Sequence, residues 1–276
     1  MQKENIFYKK NFLIYGFGKS GYASYKFLYK TNDCKIIDDN KKNIPSKYNN
    51  KVINYKYLKK NNFDYIVLSP GIDINKCKIS RYLKKNISKV VTELDIFYLT
   101  YPNIKKITIT GTNGKSTTAK LLYDVLRHHG KDARLTGNIG NPILFETNLN
   151  INTIFIIEAS SYQLEYSKFF KSEYSLILNL SPDHLERHGN FQNYIKAKFK
   201  LIQNQSQNNY SFIENKNYLL NNLIKKNKIN SKICRVNYKK YYNYYKVISN
   251  DYFRNISNFK NLSFIFAISK SLKLSQ

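Results

Sequence analysis

The chain has 276 residues, room for two ordinary domains, and carries 46 Lys+Arg against 18 Asp+Glu for a formal charge of +28. Its three cysteines, Cys34, Cys77 and Cys234, are far apart and form no CxxC pair, so no disulfide framework or zinc site is implied. No stretch approaches the ~20 apolar residues of a membrane span and the N-terminus lacks the apolar run of a signal peptide, so a cytoplasmic protein with no membrane partner is expected. The charge alone would point to nucleic acid. The excess lies in Lys, Asn, Ile and Tyr, a bias of the whole chain with no single patch, so no nucleic-acid partner is expected.

In chain order, "NFLIYG" from Asn11 reads as a strand and "KSGYASYKFLYK" as a helix. Between them lies the loop "GFGKSG", Gly16 to Gly21, and the next strand, "CKIIDD", ends in Asp38 and Asp39 about 20 residues on. This is the dinucleotide fingerprint: Gly16, Gly18 and Gly21 permit a tight turn and close approach of a diphosphate to a helix N-terminus. It does not say which nucleotide, and a tight turn without a ligand has the same pattern. "FDYIVLSPGI" is a strand ending in a turn, and "KVVTELDIFYL" closes the unit. The alternation predicts an α/β class: a Rossmann-like parallel sheet over residues 1–101, with a boundary near Tyr101-Pro102.

Residues 102–276 form the second expected domain, of the P-loop ATPase type. The strand "KKITIT" leads into "TGTNGKST" and a helix from Lys115. The backbone of Gly111, Thr112, Asn113 and Gly114 can cradle phosphates, Lys115 can reach the terminal ones, and Ser116 or Thr117 can hold magnesium. The spacing is a short variant of GxxxxGK[ST], with Ile109 where the first glycine would stand. Gly130 follows "LLYDVLRHH" as a helix C-cap, and His128 and His129 complement the helix dipole. The other nine of the ten glycines are expected in loops.

"NTIFIIE" and "YSLILNL" are near-continuous apolar runs, as in strands buried on both faces. Glu158 ends the first, and Asp183 and His184 follow the second. Parallel strands bring such ends to one edge, so Lys115, Ser116, Glu158 and His184 are expected to converge, with Glu158 and His184 in reach of a metal. Taken singly, Glu158 reads equally as a helix N-cap charge and His184 as a surface loop residue. In "YIKAKFKLI", helical spacing puts Tyr194, Ala197, Leu201 and Ile202 on one face with Lys198 in its middle. Such a lysine either has a buried partner and a depressed pKa, or snorkels to the surface. Beyond about Gln203 the chain resists parsing, and the segment after Gly189, which has no Gly or Pro, reads as loosened. "YKKYYNYYK" could stack on single-stranded nucleic acid, though composition explains it as well. "NLSFIFAISKSLKL" has helical spacing.

Taken together, "GFGKSG", "LSPGI", "TELDIF", "TGTNGKSTT", "TGNIGNP", "EASSYQLE", "NLSPDHLERHG" and "YIKAKFKL" resemble the Mur ligase family in order and spacing, from Phe12 to Leu201. The resemblance implies that Gly16, Gly18, Ser20 and Gly21, with Asp38, Ser69, Pro70 and Gly71, hold the UDP of UDP-N-acetylmuramoyl-L-alanine. The second loop would hold ATP. It implies ATP-driven ligation of D-glutamate through an acyl phosphate, with ATP and Mg2+ as cofactors; a monomer is expected. Lys115 would contact the β- and γ-phosphates. Ser116 or Thr117, Glu158 and His184 would serve magnesium. Lys198 aligns with a lysine carbamylated by CO2, and Asn138 would contact the muramoyl group.

The family's HNxxN pattern corresponds to Ser257-Asn258-Phe259-Lys260-Asn261, with serine in place of histidine. The family's third domain is expected to be absent, which leaves a non-catalytic nucleotide-binding remnant as the alternative to a ligase. An NAD-dependent oxidoreductase using "GFGKSG" is the third reading, and it leaves the second loop, Glu158 and His184 unexplained.

Overall fold

The computed structural model describes residues 6–274, so the outermost residues of both expected domains lie outside the described residues. The chain forms two compact units. Among the described residues, the first comprises 6–102, 142–147 and 165–170; the second comprises 103–141, 148–164 and 171–274.

The first unit holds a parallel sheet of β1 (Asn11–Tyr15), β2 (Asp33–Ile37), β3 (Tyr65–Leu68) and β4 (Val90–Val91), in the order β2-β1-β3-β4. Its helices are α1 (Lys19–Leu28), α2 (Ser80–Lys85) and α3 (Glu93–Thr100). Strand order reverses at β1, which has β2 on one side and β3 on the other, so a crevice opens beyond the carboxyl ends of β1 and β3. The loops "GFGKSG" and "SPGI" begin there.

Asp95 ties later segments of the chain into this unit. It completes a capping box with Thr92 at the start of α3 and is fully buried. Its Oδ1 also accepts from Ser167 Oγ at 2.9 Å and from the backbone N–H groups of Lys168, Phe169 and Phe170 at 3.0, 2.7 and 2.9 Å. Successive amides aimed at one carboxylate make an anion nest.

The second unit has six parallel strands in the order β10-β9-β8-β5-β7-β6. They are β5 (Lys105–Thr110), β6 (Ala133–Gly137), β7 (Ile154–Glu158), β8 (Tyr174–Ile177), β9 (Tyr210–Glu214) and β10 (Lys232–Val236). The helices are α4 (Lys115–His128), α5 (Ser161–Glu165), α6 (Leu185–His188), α7 (Phe191–Gln203), α8 (Tyr218–Lys226), α9 (Tyr242–Val247), α10 (Asp251–Arg254) and α11 (Ile256–Ser271). Central strand β7 is buried throughout, which is why it reads as an apolar run, whereas β5 is buried from Lys106 to Thr110 but alternates isoleucine with threonine. The core gathers Ile107, Ile109, Leu122 and Leu126 with Phe264 and Ile268 of α11. Among the described residues no helix is long and apolar enough to cross a membrane.

Two expectations change. Two of the nine glycines expected in loops are not there: Gly137 ends β6, and Gly21 is in the first turn of α1, where a Cβ would lie 1.9 Å from the Gly16 carbonyl oxygen. Only glycine lets the helix start so close to the loop. The stretch after Gly189 is not loosened: it forms α7, then β9, α8 and β10, with β9 and β10 paired in parallel, and then α9 to α11. Asparagine takes the place of glycine and proline as punctuation. Asn217, Asn250 and Asn255 each cap a helix by accepting a backbone N–H.

Substituting Asp95→Ala removes the nest's acceptor and leaves buried amides unpaired. The variant is expected to lose about 3 kcal/mol of unfolding free energy in urea melts, with Asp95→Asn falling between it and the parent.

Candidate functional site

The second loop begins where β5 ends. Strand order reverses there too, because β5 lies between β8 and β7. Gly114 has φ +81°, and a Cβ on it would lie 2.0 Å from Asn261 Nδ2. A side chain there is excluded by both backbone and space. Asn179, just past β8, grips the loop from both sides. Its Oδ1 accepts from Asn113 N at 2.8 Å and its Nδ2 donates to Asn113 O at 2.9 Å. Thr112 Oγ1 donates to Ser181 O at 3.1 Å and meets the Tyr194 hydroxyl at 3.0 Å. Lys115 Nζ folds back onto Thr112 O at 2.7 Å, within the turn whose amides open α4. A helix N-terminus and a lysine at a glycine turn form an anion site for phosphates.

Behind the lysine, Ser116 Oγ donates to Glu158 Oε2 at 2.8 Å. Glu158 is only 1% exposed at the end of β7, and its Oε1 accepts from Asn138 Nδ2 at 3.1 Å. Asn138 N also donates to the Glu158 backbone oxygen at 2.9 Å. Ser116, Glu158 and Asn138 thus form one hydrogen-bonded row at the sheet edge.

Lys198 is 1% exposed on the inner face of α7, so it does not snorkel. Its Nζ donates to Gly111 O at 2.9 Å and Thr110 Oγ1 at 3.3 Å, and lies 4.7 Å from the Tyr194 ring centre. Burial, with the charge of Lys115, holds its pKa down at about 7, against the pull of Asp183 and Glu158. The amine is therefore partly neutral near physiological pH.

His184 follows β8 and is the N-cap of α6. It has φ +52°, its side chain is 44% exposed, and it approaches Asp183 at 3.5 Å and Glu186 at 3.6 Å. Its ring packs on Tyr162 at 4.9 Å. Thr117 Oγ1 meets the Tyr252 hydroxyl at 3.3 Å. Among the described residues no group of three or more His, Cys, Asp or Glu could hold a metal alone. The hydroxyl and buried carboxylate of Ser116 and Glu158 are hard oxygen donors, and magnesium binds to one or two such groups with phosphates completing its shell. The residues present fit that ion.

In the first unit, Asp38 pins the other loop: its Oδ2 accepts from Phe17 N at 2.6 Å, and its Oδ1 from Asn40 N at 2.8 Å. Ser69 Oγ donates to Gly16 O at 2.7 Å, joining the ends of β1 and β3. Pro70 and Gly71 follow in the same turn, and Gly18 caps α1.

Sequence reasoning passed over Asn179, Tyr194 and Tyr252. Asn179 was detectable, since it sits in the loop at the end of "YSLILNL" where a polar residue faces the ligand edge. The hydroxyl contacts of the two tyrosines carry no local pattern in so tyrosine-rich a chain. Gly114→Ala is expected to cut nucleotide affinity at least about 100-fold, because the loop cannot keep its left-handed turn. Equilibrium binding of a fluorescent adenine nucleotide, with a melting curve to confirm folding, checks this.

The Mur ligase middle domain family matches residues 109–272, from the end of β5 through α11. The chain is 35% identical over 227 residues to UDP-N-acetylmuramoylalanine--D-glutamate ligase of Caldicellulosiruptor saccharolyticus, covering 78% of this chain and 50% of that protein. It is also 35% identical over 211 residues to the enzyme of that name from Rickettsia bellii, covering 74% of this chain and 46% of that one. The chain therefore spans about half the length of the curated relatives it matches. The solved UDP-N-acetylmuramate:L-alanyl-gamma-D-glutamyl-meso-diaminopimelate ligase from Neisseria meningitides superposes with a TM-score of 0.53 at 14% identity, covering 82% of this chain and 78% of that one; it shares the fold. A glycine-lysine loop backed by a serine-glutamate pair, on a matched domain of this extent, places the chain in the Mur ligase family.

Proposed function

We propose that this chain takes part in ATP-dependent joining of D-glutamate to UDP-N-acetylmuramoyl-L-alanine, in peptidoglycan precursor synthesis. The observation that carries the reading is the Ser116–Glu158 pair set directly behind the phosphate-loop lysine. The names of the relatives supply the substrates. Residues 1–101 are the UDP-substrate domain and 102–276 the ATP domain in this reading. The loop of Gly16, Gly18, Ser20 and Gly21, with Asp38, Ser69, Pro70 and Gly71, holds the UDP. Gly111 to Thr117 hold ATP.

A carboxylate resists attack by an amine until it carries a good leaving group. Transfer of the γ-phosphoryl of ATP makes it an acyl phosphate; the D-glutamate amine then displaces phosphate to leave an amide. Positioning and charge neutralisation carry most of such catalysis. Lys115 turns from Thr112 O to the β- and γ-phosphates. Ser116 and Glu158 would hold magnesium, which would supply neutralisation of phosphate charge. His184 would serve magnesium as well, and Asn138 would contact the muramoyl group.

Lys198 suits carbamylation, because a neutral buried amine can add to CO2, lose a proton and become an anionic oxygen ligand. The lowered pKa and the inward position support this role.

The test is to incubate the protein with ATP, magnesium, bicarbonate and UDP-N-acetylmuramoyl-L-alanine, with and without D-glutamate, and to follow phosphate and amide. The expected result is product that depends on D-glutamate and falls about 100-fold or more in Lys198→Ala. Isotopically enriched bicarbonate is expected to yield a carbamate carbon signal in the parent that the variant lacks. A protein that binds neither ATP nor the UDP substrate contradicts the reading.

A further inference from the structure

Glu93 is a buried carboxyl group set behind the first glycine loop, and the chemistry above does not use it. It is the first residue of α3 and is 7% exposed. Its Oε2 accepts from Ser20 Oγ at 2.5 Å. Ser20 is the second residue of α1, inside "GFGKSG". Glu93 Oε1 is buried without a well-formed hydrogen bond, and the backbone N–H groups of Ile143 and Leu144 are the donors that approach the carboxyl. An acid here is unexpected, because a diphosphate at this loop brings negative charge to the same hydroxyl.

We propose that Glu93 is a positioning residue that takes up a proton when the diphosphate of a UDP-linked ligand engages Ser20. In the free protein the Glu93 carboxylate accepts from the Ser20 hydroxyl. A phosphate oxygen needs that same hydroxyl hydrogen. A hydroxyl both donates and accepts, so the chain of bonds reverses: protonated Glu93 donates to Ser20 Oγ, and Ser20 donates to the phosphate. The proton comes from solvent, and the buried pair of like charges is avoided.

Burial pushes the Glu93 carboxyl up to about 7, opposed by the Ser20 hydroxyl and the amides of Leu144 and Ile143. The titratable groups nearest in sequence on the packed elements are Lys19 on α1, Asp95 on α3 and Glu146 after the 143–145 turn, and no charge contributes to the shift. Asp95 is already occupied by its nest. Glu93 is thus poised to gain a proton near neutral pH, and a nearby phosphate raises its proton affinity further.

The inference rests on the reading that this loop holds UDP, and one calorimetric experiment separates the two. UDP-N-acetylmuramoyl-L-alanine is titrated into the parent, Glu93→Gln and Ser20→Ala at about pH 8, in phosphate and in Tris. The two buffers differ in ionisation enthalpy, so the difference in heat counts the protons taken up. The parent is expected to take up close to one proton, and its Kd to weaken up to about tenfold per pH unit above neutrality. Glu93→Gln, whose amide mimics the protonated acid, is expected to lose that uptake and to bind more tightly than the parent at about pH 8. Ser20→Ala is expected to lose the uptake through the missing relay hydroxyl, which gives a second reading if the glutamine variant fails to fold. Equal proton uptake in parent and variants overturns the role of Glu93 and leaves the UDP site standing. A parent that binds ATP but not the UDP ligand at any pH overturns both.

Discussion

Parallel pairing of β5 with β7 on one side and β8 on the other is the constraint on which the second unit's site depends. All three strands end at the same edge, so whatever follows each is delivered to one place. The phosphate loop follows β5, Glu158 ends β7, and Asn179 follows β8. The Ser116–Glu158 hydrogen bond and the Asn179 clamp on Asn113 are consequences of that register. Neither needs a long-range device of its own, because the sheet already supplies the approach. Strand order reverses in the same way at β1 in the first unit, which puts its glycine loop beside Ser69.

Charge at both loops is handled by burial more than by ion pairs. Lys198 and Glu93 lie in separate units, yet each is a buried ionisable group whose pKa is driven toward neutrality by loss of water. Each is held by a short-range partner in the loop beside it: Gly111 O for the lysine and Ser20 for the acid. A protein with a formal charge of +28 has no shortage of surface cations. What distinguishes these sites is where a group is kept from water.

Much of this was legible in the sequence, for physical reasons. Scarce glycine makes each glycine turn conspicuous, and strands buried on both faces write themselves as apolar runs. Lys198 was visible as the one cation on the apolar face of its helix, and only the structure could separate burial from snorkelling. β9 and β10 were not legible. β10 is a short, half-exposed edge strand, and its flanking turns use asparagine in a chain where asparagine is everywhere. The Asp95 nest joins residues more than 70 positions apart through backbone amides, which leave no side-chain signature. Glu93 lies within "TELDIF", but nothing in its sequence neighbours signals contact with Ser20. His184 stands in a left-handed turn that no spacing rule encodes.

The most direct measurement is magnesium-dependent binding of a non-hydrolysable ATP analogue to the parent and to Glu158→Gln, with UDP-N-acetylmuramoyl-L-alanine binding as the control. The account predicts that magnesium strengthens ATP-analogue binding in the parent, that the glutamine variant loses most of that gain, and that the UDP ligand binds both alike. Equal magnesium dependence in the two proteins would contradict the assignment of the Ser116–Glu158 edge as the site of metal-assisted phosphate chemistry.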